Sequence, residues 1–187
     1  ADGFISPEKI KTITVSQSGK ADPAWKLTRE GEEAEFKLDG AAAAEVLDTT
    51  AAGALKGLFS YARFEDVLPK DKVAGLTGDG KRTAVIETFE GFTYSVNFTP
   101  TKVAPPAAAT PGAPAPTADN FLVTVDVSAE LSKERKKEEG EKPEDVKTKD
   151  AAFSERLKTL SDKLTKEKAL AGITFEVAKS TVEPLLK

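Results

Sequence analysis

Apolar and polar positions alternate with a period of two through much of this chain, the pattern of half-buried strands. From Lys9 to Ser16, Ile13 and Val15 fall on one side and Thr12, Thr14 and Ser16 on the other. After a polar turn at Ser18-Gly19, Ala24 to Thr28 places Trp25 and Leu27 on one face. Ala34 to Leu38 does the same with Phe36 and Leu38. Three short strands separated by polar turns predict an antiparallel meander. Later runs are stronger. Arg82 to Phe89 carries Val85 and Ile86, Phe92 to Thr99 alternates from Phe92 to Phe98, and Phe121 to Val127 alternates throughout. Glu90-Gly91 is a two-residue connection suited to a tight hairpin. Ile173, Phe175 and Val177 predict a last strand.

The period changes to that of a helix at two places. In Leu47–Pro69, LDTTAAGALKGLFSYARFEDVLP, Asp48 is placed to cap a helix whose Ala52, Leu55, Leu58 and Phe59 share one side. Gly53 and Gly57 stand four apart, where a sheet could approach closely. Tyr61 to Val67 then reads as an extended segment closed by Pro69. Near the other end Asp150 can cap a helix, and Phe153, Leu157, Leu160 and Leu164 form its apolar stripe until Gly172. Ser6-Pro7-Glu8 reads as the start of a helical turn, Val73-Ala74 as a single turn within a linker, and Ser180 with Glu183 as a capping box. The order is three strands, helix, strand, then three strands, helix, strand, helix. It predicts an α+β fold, mainly antiparallel with single helices on the sheet, and suggests a duplicated strand-strand-strand-helix-strand unit. The halves divide as 1–75 and 76–187.

Two segments fit neither period. Residues 100–117, PTKVAPPAAATPGAPAPT, are proline- and alanine-rich and predict a loop outside any sheet interior. Residues 130–150 are crowded with charges of both signs, predicting a solvated helix or flexible arm broken at Gly140 and Pro143.

Composition narrows the chemistry. The 187 residues hold no Cys and no His. A thiolate nucleophile, a zinc–thiolate site, a disulfide and the commonest general base are therefore excluded. The net charge of −4 gives no electrostatic reason to bind nucleic acid. No apolar run approaches the roughly 20 residues of a membrane-spanning helix. Catalysis would rest on Asp, Glu, Lys, Ser, Thr or Tyr. Glu65 and Asp66 are adjacent carboxylates, but neighbours in a strand point to opposite faces. No catalytic residue, cofactor or metal site is assigned. Absence of Cys suits an oxidising compartment. There is also no Met, even at position 1. That leaves room for a signal peptide or anchor ahead of Ala1, and the pattern at Lys187 suggests that the native chain continues. The rings that could form a binding surface are Trp25, Tyr61 and Tyr94; Trp25 reads either as a core anchor or as a platform for a sugar or peptide.

Four stretches, PEKIKTITV at Pro7–Val15, AWKL at Ala24–Leu27, the Leu47–Pro69 run and ITFEVAKSTVEPLLK at the end, together resemble the bacterial domain-of-unknown-function family 4340. Its members are envelope proteins found beside gliding-motility-type ABC transporter components. The resemblance implies an extracytoplasmic domain tethered by an N-terminal membrane anchor, with no established catalytic residues. The proline/alanine-rich and charged segments depart from the family's compact pattern. The leading expectation is a non-enzymatic accessory or scaffold domain, periplasmic or envelope-bound. It would work through protein contacts with an envelope or transporter component, exposed strand edges being one means. It would reach the membrane only through a segment absent from this chain. An envelope peptide- or glycan-binding module and a carboxylate-dependent hydrolase are the alternatives, and the oligomeric state stays open.

Overall fold

The computed structural model describes residues 4–41, 45–60, 62–102 and 120–186. The alternating runs become eight strands: β1 (Ile10–Gln17), β2 (Trp25–Thr28), β3 (Lys37–Leu38), β4 (Asp66–Leu68), β5 (Arg82–Thr88), β6 (Phe92–Pro100), β7 (Asn120–Ala129) and β8 (Thr174–Ala178). Helices α1 (Thr49–Ala54), α2 (Lys70–Leu76), α3 (Pro143–Lys168) and α4 (Lys179–Val182) complete the described elements, with short 3₁₀ turns after α1 and α4. The fold is α+β. All eight strands form one antiparallel sheet in the order β3-β2-β1-β5-β6-β7-β8-β4.

Register explains which face is dry. Leu27, Ile13, Ile86, Tyr94 and Val127 line up across neighbouring strands, as do Val15, Ala84, Val96 and Val125. Leu55, Leu58 and Phe59 after α1, Leu160 of α3 and Val182 of α4 join the same core. The other face carries Thr14, Ser95 and Asp126 in one row and Ser16, Thr83, Asn97 and Thr124 in the next. An antiparallel sheet with one covered and one wetted face requires this alternation.

The element order of the two halves recurs, with α2 added between them, but their topology differs. β8 extends its own meander by pairing with β7, whereas β4 leaves β3 and pairs with β8 at the far edge. The halves thus share one sheet, joined at β1–β5 and again at β8–β4.

Several local expectations are corrected. α1 is capped by Asp48, whose Oδ1 accepts from Thr50 N–H (2.9 Å) and Ala51 N–H (3.0 Å). It ends earlier than its apolar spacing predicts, and Phe59 turns the chain with a φ of 65°. Gly53 and Gly57 do not face a close sheet: a Cβ at Gly53 would meet nothing within 4 Å. The third strand keeps only Lys37–Leu38, although Phe36 is buried beside it. The β5–β6 connection spans Phe89-Glu90-Gly91, three residues instead of two. Gly91 has a φ of 86°, and a Cβ there would stand 2.3 Å from the Glu130 carbonyl oxygen. Only glycine fits both constraints.

The Lys70–Gly80 linker holds a full helix, α2. α3 starts at Pro143, a position where a missing N–H costs nothing, so Asp150 lies inside it instead of capping it. Ser180 and Glu183 make no capping box, because α4 begins at Lys179 with no side-chain cap. Ser6-Pro7-Glu8 is not helical; it has no regular structure and enters β1 through a bend at Lys9. The predicted proline/alanine-rich loop lies mostly outside the described residues, except that Pro100 closes β6 and Thr101 bridges to Thr77.

Candidate functional site

The three predicted rings do not form one surface. Tyr94 is fully buried. It stands on the dry face of β6, in the row with Ile86 and Val127, and its alternation with Thr93 and Ser95 forces that placement. Its hydroxyl donates to Glu167 Oε2 at 2.7 Å. Burial, with the hydrogen bond to Glu167 and that carboxylate's charge, pushes the Tyr94 hydroxyl far above the ordinary tyrosine value. It is a core residue and offers no stacking face. Tyr61 lies outside the described residues. Trp25 remains, half-buried at the end of the sheet opposite Val15.

Trp25 forms one wall of an open apolar groove of about 360 Å³. Leu27 and Leu38 of the sheet edge, Leu47 before α1, and Leu55 contribute further walls. The Asp48 cap fixes where α1 starts, and so where the Leu47 side of the groove stands. Val46 beside it is 91% exposed and lines the same groove. The volume falls within the roughly 300–1,000 Å³ typical of ligand-binding clefts. Sequence pattern alone marked Trp25 but missed Val46, which sits in no periodic run.

The other notable polar arrangement joins the α3 face to the core. Glu167 is buried. Its Oε1 accepts from Ser6 N–H at 2.9 Å and its Oε2 from the Tyr94 hydroxyl. One turn earlier on α3, Lys163 Nζ donates to the Ser6 carbonyl (2.5 Å) and lies 5.5 Å from the Phe92 ring centre. Arg156 makes a forked pair with Glu90, and this bond, against some cost of burial, holds its guanidinium even more firmly charged than usual. All of these donors and acceptors are engaged with each other.

Two carboxylates also meet beside the β4 edge of the sheet. Glu65 Oε2 and Glu176 Oε1 both accept from the Asn120 side-chain amide, at 3.0 and 2.8 Å. The pair stands beside β4 with Glu65 exposed, each oxygen taken up by the same amide group. Glu65 and Asp66 are separately engaged: Asp66 Oδ1 accepts from Val67 N–H. Both sheet edges are short, two residues in β3 and three in β4. Short edges discourage the addition of a partner strand, which weakens strand pairing as a route to partners. No helix among the described residues is long and apolar enough to cross a membrane. No protein-family model, no curated protein and no solved structure matches the chain.

Proposed function

We propose that the chain is a non-enzymatic domain of the bacterial cell envelope, tethered at the membrane, that serves as an accessory or scaffold through contacts with other proteins. The family resemblance points to an ABC-transporter-type complex as the partner. One observation carries the reading: the groove beside Trp25 is apolar, open and edged by the exposed Val46, a shape suited to an apolar side chain of another protein.

The test places a photo-reactive benzoylphenylalanine at Val46 in the full chain, in living cells. The expected result is a discrete adduct with an envelope membrane protein, not seen when the probe replaces the exposed Lys136. Adducts with cytoplasmic proteins only, or equal labelling from both positions, would overturn the proposal.

A second reading, an envelope peptide- or glycan-binding module, is favoured by the same half-exposed indole. Trp25 is the only tryptophan, so its emission reports the groove without background. A saturable shift on titration with peptidoglycan fragments would select this reading over the first.

A further inference from the structure

Residues 4–8, Phe-Ile-Ser-Pro-Glu, form an irregular strap held against α3. Ile5 is fully buried, and Phe4 packs edge-on against Phe59 and Phe175 at 5.5 and 5.3 Å. The peptide group on either side of Ser6 is held by α3. Glu167 accepts from its N–H and Lys163 donates to its carbonyl. Glu8 then pairs with Arg156 (3.4 Å) and Lys163 (3.6 Å).

This changes the meaning of α3. A helix lying directly on a sheet buries apolar residues along its inner face. Here that face includes a carboxylate and an ammonium one turn apart, both aimed at the main chain of a separate segment. The Tyr94 hydroxyl fixes the carboxylate from beneath. Such a clamp reads backbone, while the Phe4 and Ile5 sites and the Arg156–Lys163 pair read side chains. A cleft of about 490 Å³ beside the strap is lined by Ser6, Glu8, Asp162, Lys163 and Lys166; Ser6 is half-buried and Glu8 exposed, while Phe4, Ile5 and Pro7 are buried.

The residue that follows the strap is strained. Lys9 has a φ of 51°, in the left-handed region that non-glycine residues avoid. Its position is forced by the turn from the strap into β1, where the Lys9 carbonyl accepts from Phe89 N–H.

We propose that the cleft between α3 and the sheet is a peptide-recognition site, filled in one molecule by its own residues 4–8 and, in a segment-exchanged dimer, by residues 4–8 of a second copy. Exchange keeps every contact of the strap and lets Lys9 leave its left-handed conformation. A short hinge under strain is the setting in which such exchange is favoured. None of the strap's residues lines the Trp25 groove, so this inference stands or falls apart from the proposed function.

The chain contains no cysteine, which makes the test clean. One full-chain preparation carries Glu8→Cys and a second, of different mass, carries Thr159→Cys, at an exposed position lining the same cleft as Glu8 and outside the clamp. They are mixed at high concentration, incubated, and joined with a short bis-maleimide. The expected product links position 8 of one chain to position 159 of the other. It should exceed both like-with-like products several-fold and grow with concentration. Placing Lys9→Gly in both preparations should lower its yield several-fold, because glycine removes the strain without removing any side-chain contact of residues 4–8. Absence of interchain product, or like-with-like products in equal yield, would overturn the proposal. An unchanged yield with Lys9→Gly would overturn the part assigned to the hinge.

Discussion

Glu167 and Glu141 are both carboxylates on or beside α3, and both are fully engaged, yet they are held in opposite ways. Glu167 is buried among Tyr94, Ser6 and the core, and its two bonded donors are neutral. Glu141 lies in the loop before α3. Arg135 grips it with two N–H groups at 2.6 and 2.7 Å while also reaching Asp150, and Lys149 joins at 3.3 Å. The hydrogen bond to Arg135 is the main reason that the Glu141 carboxyl is pulled down to about 2. The lesson is about water. In the loop, Arg135 and Glu141 shield each other from it, their side chains 14 and 6% exposed, and the opposite charges set the titration of the carboxyl. In the interior a neutral hydroxyl and one peptide N–H matter more, since nothing replaces them if they are lost.

The harshest way to break this contrast is Glu167→Ala. It strands the Tyr94 hydroxyl and the Ser6 N–H in the core, so the expected loss is about 3 kcal/mol, read by urea denaturation. A loss below about 1 kcal/mol would mean that the carboxylate does not organise the α3 face.

Tyr94→Phe is milder, about 1 kcal/mol at neutral pH by the same measurement. It sharpens the comparison through pH. The folded state keeps the Tyr94 proton well above the ordinary value of 10.0. Above that value the unfolded chain releases it and the folded chain does not, so this contribution is complete below about pH 10 and is lost as pH rises further. The parent should therefore lose stability above about pH 10 more steeply than Tyr94→Phe. Parallel curves would refute the assignment.

Glu141→Gln should have the smallest effect on global unfolding at neutral pH, because Glu141 and its partners Arg135 and Lys149 lie outside the core cluster. Its folded carboxyl titrates below the ordinary value, so its stabilising effect is present above pH 4.5 and lost as pH falls toward about 2. Hydrogen exchange of residues 130–142 is the readout. In the parent those amides should lose protection across that interval and with added salt, and in Glu141→Gln they should respond to neither.

The same contrast explains what could be read from sequence. Period-two alternation marks the strands because burial on one face leaves its trace in every second residue; Phe92 to Phe98 is the clearest case. The Asp48 cap was legible because it is local, a side chain serving amides two and three positions on. Residues 130–150 were harder. Their charge pattern predicts solvation equally for a helix and for an arm, and only the distant meeting of Arg135 with Glu141 and Asp150 decides the outcome. Tyr94 reads as a candidate binding-surface ring, although its own alternation with Thr93 and Ser95 places it inside. Its partner Glu167, in a lysine- and glutamate-rich stretch, carries no local sign of burial. Trp25 could be singled out by scarcity, but its groove is built from Leu38, Leu47 and Leu55, brought together by tertiary packing.

The sheet order has a consequence for synthesis. β4 leaves the ribosome well before β8, its one partner among the described strands, with Asp66 set against Glu176. The first half can form its meander at once and must then hold an unpaired strand in waiting. Final closure of the sheet is a long-range event and is expected to be the slow step of folding, during which that bare strand is the segment most in need of a chaperone's protection.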